Sequence, residues 1–214
     1  AEVKKLATQY FEPIPAQAPP REVHTVEPEQ TGERRVYVKK ASVSTPNVLF
    51  AYHVPETQND DYYALSILSS ILSSGNSSRL NKALVYDNKT ASEVFTYLPL
   101  SIDPNLFYVS AVAAPGVSSA ELEQAIITQL NEVMTKGASE QELQKVKNQA
   151  LVDFYREMST INGKANTIGS YDFYFGSYKA LFDVPAQLSK VTLSDIQRVA
   201  AKYLRKANRT TGVL

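Results

Sequence analysis

Apolar and polar positions alternate along this chain in two rhythms, and the switches between them outline its elements. Residues 1–11 set Val3, Leu6 and Tyr10 on one helical face, with Lys4, Lys5 and Gln9 on the others. Pro13, Pro15, Pro19, Pro20 and Pro28 then rule out a helix from Glu12 to Gln30 and predict an extended, semi-stiff linker. Arg34–Ala41 reads as a strand with Val36 and Val38 on one face. Asn47–His53 reads as a second, more buried strand, and S-T-P-N between them as a hairpin turn. A helix follows, capped by Thr57 or Asn59, with Leu65, Leu68 and Leu72 on its apolar face and Asp60 and Asp61 as charges at its positive end. Gly75–Asn76 breaks it, and Ser77–Tyr86 predicts another short helix.

Two more strands are predicted over Ala91–Leu98 and Leu106–Ala113, turned by Asp103–Pro104. Ser118 opens a helix with the capping pattern S-S-A-E, and Leu122, Ile126, Leu130 and Val133 form its face. Past Gly137, Ser139 opens the next with S-E-Q-E, and Leu143, Val146, Ala150, Phe154 and Met158 are spaced for one buried stripe. Gly163, Gly169, Gly176 and Pro185 punctuate residues 159–190, which predicts short helices and turns around an aromatic stretch. A final helix runs from about Leu193 to Arg205 over Ile196, Val199 and Tyr203. The start of a strand closes the chain, the pattern expected of an interior piece of something larger or of a trimmed protein. The order of elements predicts an α+β fold in which an antiparallel sheet is covered mainly on one face by helices.

Composition narrows the chemistry. The 214 residues carry 22 basic and 22 acidic side chains, a balance that argues against a nucleic-acid or anionic-membrane surface. No apolar run approaches the ~20 residues of a membrane-spanning helix. The absence of Cys excludes a disulfide framework, a thiolate zinc site and a Cys nucleophile. The two histidines, His24 and His53, stand far apart, so neither forms a helix-borne pair of metal ligands. The compartment stays open, with bacterial periplasm and cytoplasm both compatible.

Four segments carry a resemblance: K-K-L-A-T-Q-Y-F-E-P-I-P near the start, G-N-S-S-R-L (Gly75–Leu80), G-A-S-E-Q-E-L-Q-K-V-K (Gly137–Lys147), and V-T-L-S-D-I-Q-R-V-A-A-K-Y-L-R-K-A-N-R-T near the end. In this order they resemble the end of one half and most of the next half of the insulinase/pitrilysin family of zinc metallopeptidases. Relatives in that family include mitochondrial processing peptidase and the core subunits of the respiratory bc1 complex. The resemblance implies that residues 1–30 are the end of a preceding domain and its linker, and that residues 31–214 are a C-terminal domain, one half of a clam-shell peptide-degrading chamber. It also implies zinc in the preceding half, held by an H-x-x-E-H helix that this chain lacks. The implied partners are the homologous N-terminal half, a second homologous chain or copy, and a peptide substrate.

No residue here is expected to be catalytic or to hold a metal, and the chain alone is expected to be inactive. The alternative is a non-catalytic structural or assembly subunit like the respiratory core proteins. Active members of the family use an Arg and a Tyr from the zinc-free half, and alignment on S-R-L puts Val85 and Ser92 at those positions. Ser77, Ser78, Arg79 and Leu80 are the family-motif positions. Arg79 reads either as a chamber cation or as a helix-start residue paired with a carboxylate or carbonyl. Tyr171, Phe173, Tyr174 and Phe175 read either as a peptide subsite or as packing between the long helix and the sheet.

Overall fold

The computed structural model describes residues 2–18, 26–40 and 42–214. His24, part of the proline linker and Ala41 lie outside the described residues. The elements run α1 (Glu2–Phe11), β1 (Arg34–Tyr37), β2 (Asn47–Val54), α2 (Tyr62–Ser73), β3 (Ala91–Tyr97), β4 (Asn105–Ala113), α3 (Ser119–Lys136), α4 (Glu140–Glu157), α5 (Ile161–Tyr174), α6 (Val184–Lys190), α7 (Leu193–Tyr203) and β5 (Arg209–Val213). A π-helical segment, Asn81–Asp87, connects α2 to β3.

The strands form one five-stranded sheet in the order β1-β5-β2-β4-β3. The β5–β2, β2–β4 and β4–β3 pairs are antiparallel, as the α+β reading requires, and the edge pair β1–β5 is parallel. The hairpin expected at S-T-P-N does not form. β5 inserts between β1 and β2 and takes the hydrogen bonds of both, so the Val38 amide donates to the Val213 carbonyl and the Asn47 amide to that of Leu214. β1 consequently stops at Tyr37, short of the expected strand.

Strand alternation gives the sheet two unlike faces. Val48, Phe50, Tyr52 and Val54 of β2 join Phe107, Val109, Ala111 and Ala113 of β4 in the core. Over them lie Leu65, Leu68 and Leu72 of α2, Leu122, Ile126 and Leu130 of α3, and Ile196 and Val199 of α7, all essentially without exposure. The opposite face carries Leu49, Phe95 and Tyr97, each at least 40% exposed, and Tyr97 stacks on Tyr108 at 6.3 Å.

Helix starts follow the capping chemistry. Ser139 and Glu142 exchange bonds in a complete capping box, Thr192 and Asp195 do the same for α7, and the Ser118 hydroxyl accepts from the Glu121 amide. Neither expected residue caps α2 in the ordinary sense. Asn59 accepts from the Asp61 amide one turn early, and the Thr57 hydroxyl accepts from the Ser101 amide in the β3–β4 loop.

The glycine-rich stretch differs most from expectation, because α5 runs unbroken for 14 residues through both Gly163 and Gly169. Gly163 occupies a tight place rather than a break. A Cβ there would lie 2.0 Å from the Glu157 carbonyl oxygen, where the α4–α5 corner closes. The buried stripe of α4 is likewise shorter than its spacing suggested. Leu143 and Val146 are buried, while Ala150, Phe154 and Met158 are only partly buried.

Candidate functional site

The G-N-S-S-R-L segment forms the corner between α2 and the π-helical segment. Gly75 takes φ +76°, a conformation that favours glycine, and so lets the chain reverse after α2. The Ser78 hydroxyl donates to the Gly75 carbonyl at 2.7 Å, and the Asn81 amide donates to the Ser73 carbonyl at 2.9 Å. Leu80 is fully buried in the core. Arg79 reaches across to the start of α4 and grips Glu142 with two bonds, Nε–Oε1 at 2.6 Å and Nη2–Oε2 at 2.8 Å. Lys145, one turn further along α4, donates to the Ser77 hydroxyl at 2.5 Å. The segment is thus fastened to α4 by two adjacent polar contacts, beside a groove of about 210 Å³ lined by Ser70, Ser77, Glu142 and Lys145.

Glu142 serves two helices at once. Its carboxylate accepts from Arg79 and from the Ser139 amide and hydroxyl at 2.8 Å each. The Arg79 bonds outweigh burial and, with Ser139, hold its pKa down at about 2. Arg79 in turn is held charged by that carboxylate.

The aromatic stretch divides. Tyr171 and Phe175 stack face to face at 4.3 Å, and Phe175 meets Tyr62 of α2 edge-on at 5.7 Å. Burial raises the pKa of the Tyr171 phenol. Phe173 points outward, 63% exposed, with Tyr174 edge-on at 5.0 Å. Sequence spacing brought the four together; the structure packs two of them on α2 and leaves Phe173 at the surface.

The described residues do not suit zinc. Among the described residues no group of three His, Cys, Asp or Glu side chains is arranged to hold a metal ion. The His53 Nδ1 lies 3.6 Å from one carboxylate, Glu27, and this is a partly exposed contact on the linker. Val85 packs against the core and Ser92 lies on β3 with its hydroxyl bonded to β4 carbonyls, so neither can supply the charge or the phenol of an Arg/Tyr pair. No helix among the described residues is long and apolar enough to cross a membrane.

One side chain outranks its sequence reading. Asp61, expected as a helix-end charge, is buried and accepts from Tyr203 Oη at 2.6 Å, Arg198 Nη1 at 2.6 Å and Lys202 Nζ at 3.0 Å, all on α7. Its spacing from α7, well over a hundred residues, hid this from the sequence.

The family described as peptidase M16 inactive domain matches residues 1–150. The chain belongs to this family. It is similar to the zinc protease PqqE of Helicobacter pylori, 29% identical over 185 residues that make up 86% of this chain and 41% of that protein. The solved structure of a protease from Helicobacter pylori superimposes on the whole chain with a TM-score of 0.91 at 27% identity, using 52% of its own length. The inactive peptidase domain from Bordetella parapertussis is 28% identical, with a TM-score of 0.72 over 80% of this chain and 92% of that one. The chain therefore spans about half the length of the full-length relatives it matches. This M16 domain is the inactive, C-terminal type, in agreement with the four sequence segments, and its similarity to zinc proteases favours the peptidase reading over a respiratory-type structural subunit.

Proposed function

We propose that this M16 domain forms the zinc-free wall of a peptide-degrading chamber and works with a homologous, zinc-bearing N-terminal half. The observation that carries the reading is the superposition of the whole chain on about half of a solved protease. Two features support it. The helix-free sheet face, with Leu49, Phe95 and Tyr97 exposed, offers an apolar and aromatic wall of the kind that borders a peptide or a facing domain. The apolar face of α1, with Val3, Leu6 and Tyr10 exposed and no residue buried, is that of a helix whose partner is another domain. On this reading residues 1–30 are the end of the preceding half and its linker, and residues 31–214 are the domain proper.

Zinc would belong to that preceding half, where two His one helical turn apart would hold the metal and a Glu would serve as the base for its water. The missing Arg/Tyr pair calls for a second homologous chain to supply it. Phe173 and Tyr174 are the aromatic residues left to meet a peptide; Tyr171 and Phe175 are committed to α2. The test is a peptidase assay of this chain with its preceding half and zinc, with and without a homologue that carries the Arg/Tyr pair. Activity only when the homologue is present is the expected result, and inactivity of every mixture overturns the reading. The isolated chain should bind no stoichiometric zinc; tight binding lost in His53→Ala would count against it.

A further inference from the structure

Asparagine is a thermolabile residue, most of all ahead of a small neighbour. The backbone nitrogen of the next residue attacks the side-chain carbonyl carbon, a C–N bond forms and ammonia leaves. Water then opens the five-membered imide at either carbonyl and gives aspartate or isoaspartate. The attack needs that backbone nitrogen to be unbonded and the main chain free to turn. Glycine and serine are the smallest residues that follow an asparagine here, at Asn162–Gly163 and Asn76–Ser77. Sequence alone ranks Asn162 first, because glycine puts no side chain in the way.

The fold reverses that order. The α4–α5 corner imposes the reactive pair, since any side chain at Gly163 would run into the Glu157 carbonyl oxygen. The same corner disarms it. The Thr160 hydroxyl, which caps α5, accepts the Gly163 amide at 2.9 Å, and the Lys164 amide donates to the Thr160 carbonyl at 3.0 Å. The nitrogen that would attack is committed to the cap, and Asn162 is held in the first turn of the helix. Asn76 has none of this. It is exposed in the reversal after α2, where the Ser78 amide donates to the Gly75 carbonyl at 3.1 Å and closes a four-residue turn around Asn76 and Ser77. Neither the Asn76 side chain nor the Ser77 backbone amide has a hydrogen-bond partner among the described residues.

We propose that Asn76 is the site at which the folded chain deamidates, the Asn162–Gly163 pair being held back by the Thr160 cap. The product places a carboxylate, or in the isoaspartyl form an extra backbone methylene as well, three residues before Arg79, in the turn whose reversal brings Arg79 to Glu142. The reaction consumes only water and releases only ammonia. It is independent of zinc and of peptide cleavage, so the peptidase assay and this proposal stand or fall separately.

The test is peptide mapping by mass spectrometry of the full chain aged in mildly alkaline buffer, folded and in concentrated urea, reading the amide-to-acid mass gain at each asparagine. In urea Asn162 should convert first; in the folded chain Asn76 should lead. Thr160→Ala should speed conversion of Asn162 about five-fold, the weight of one helix cap, while Thr160→Ser keeps the hydroxyl and should leave it slow. The rate at Asn76 should be the same in both variants as in the parent chain, which checks that they stay folded. Asn162 leading in the folded chain, no conversion at Asn76, or an unchanged Asn162 rate in folded Thr160→Ala would overturn the proposal.

Discussion

Asp61 and Glu142 are both acidic residues at helix starts, yet they do different work. Asp61 is buried and ties α2 to three donors on α7, two of them half exposed cations and one the phenol of Tyr203. Burial favours its neutral form, but the Tyr203, Arg198 and Lys202 bonds outweigh that and bring its pKa from 3.8 to about 2. Glu142 keeps about a third of its side chain in solvent, and its bonds are shared between the cap of α4 and a single guanidinium. The first joins two neighbouring helices of the core; the second fastens a surface corner. Depth, rather than the number of bonds, sets how much each is worth, because water can replace the partners of one and not of the other.

Asp61→Ala should have the largest effect, about 2–4 kcal/mol in urea unfolding, because it strands the Tyr203 hydroxyl inside the core while Arg198 and Lys202 regain water. A loss below that of Glu142→Ala would reverse the comparison. Glu142→Ala should cost about 1–2 kcal/mol, from the helix cap and the Arg79 bonds together, with Glu142→Gln recovering the cap part.

Acid should separate the two differently. Both folded carboxyls lie below their ordinary values, so each contributes stability that is complete above the unfolded pKa and disappears as pH falls through the folded one. For Glu142 that window runs from 4.5 to about 2, and for Asp61 from 3.8 to about 2. Stability should therefore start to fall at a higher pH through Glu142, and Glu142→Gln should flatten that first part of the acid limb while Asp61→Asn leaves it in place. Phe173→Ala should have the smallest effect, within about 0.5 kcal/mol, as an exposed ring with no buried partner; a larger loss would mean that α5 leans on it.

The sequence was most readable where its signals are local. β2, β4, α3 and α7 appear close to where periodicity and capping residues put them. The hairpin failed because nothing near S-T-P-N reveals that residues 209–213 compete for both neighbouring edges. α5 was hidden because glycine usually marks a break, whereas Gly163 answers a steric demand set by the Glu157 carbonyl. The site was legible in outline: the Arg79 reading that paired it with a carboxylate matches the Glu142 contact, but the three partners of Asp61 depend on chain segments brought together only by folding.

The position of β5 has a consequence for how the protein is made. This strand fills the slot between β1 and β2, so until residues 209–213 leave the ribosome the sheet has a gap, β2 has a bare edge and β1 has no strand beside it. The nascent domain therefore carries an open β-edge through most of its own translation, the kind of surface that recruits chaperones or pairs with a neighbouring chain. A message cut before the codons for residues 209–213 would leave that edge permanently unsealed.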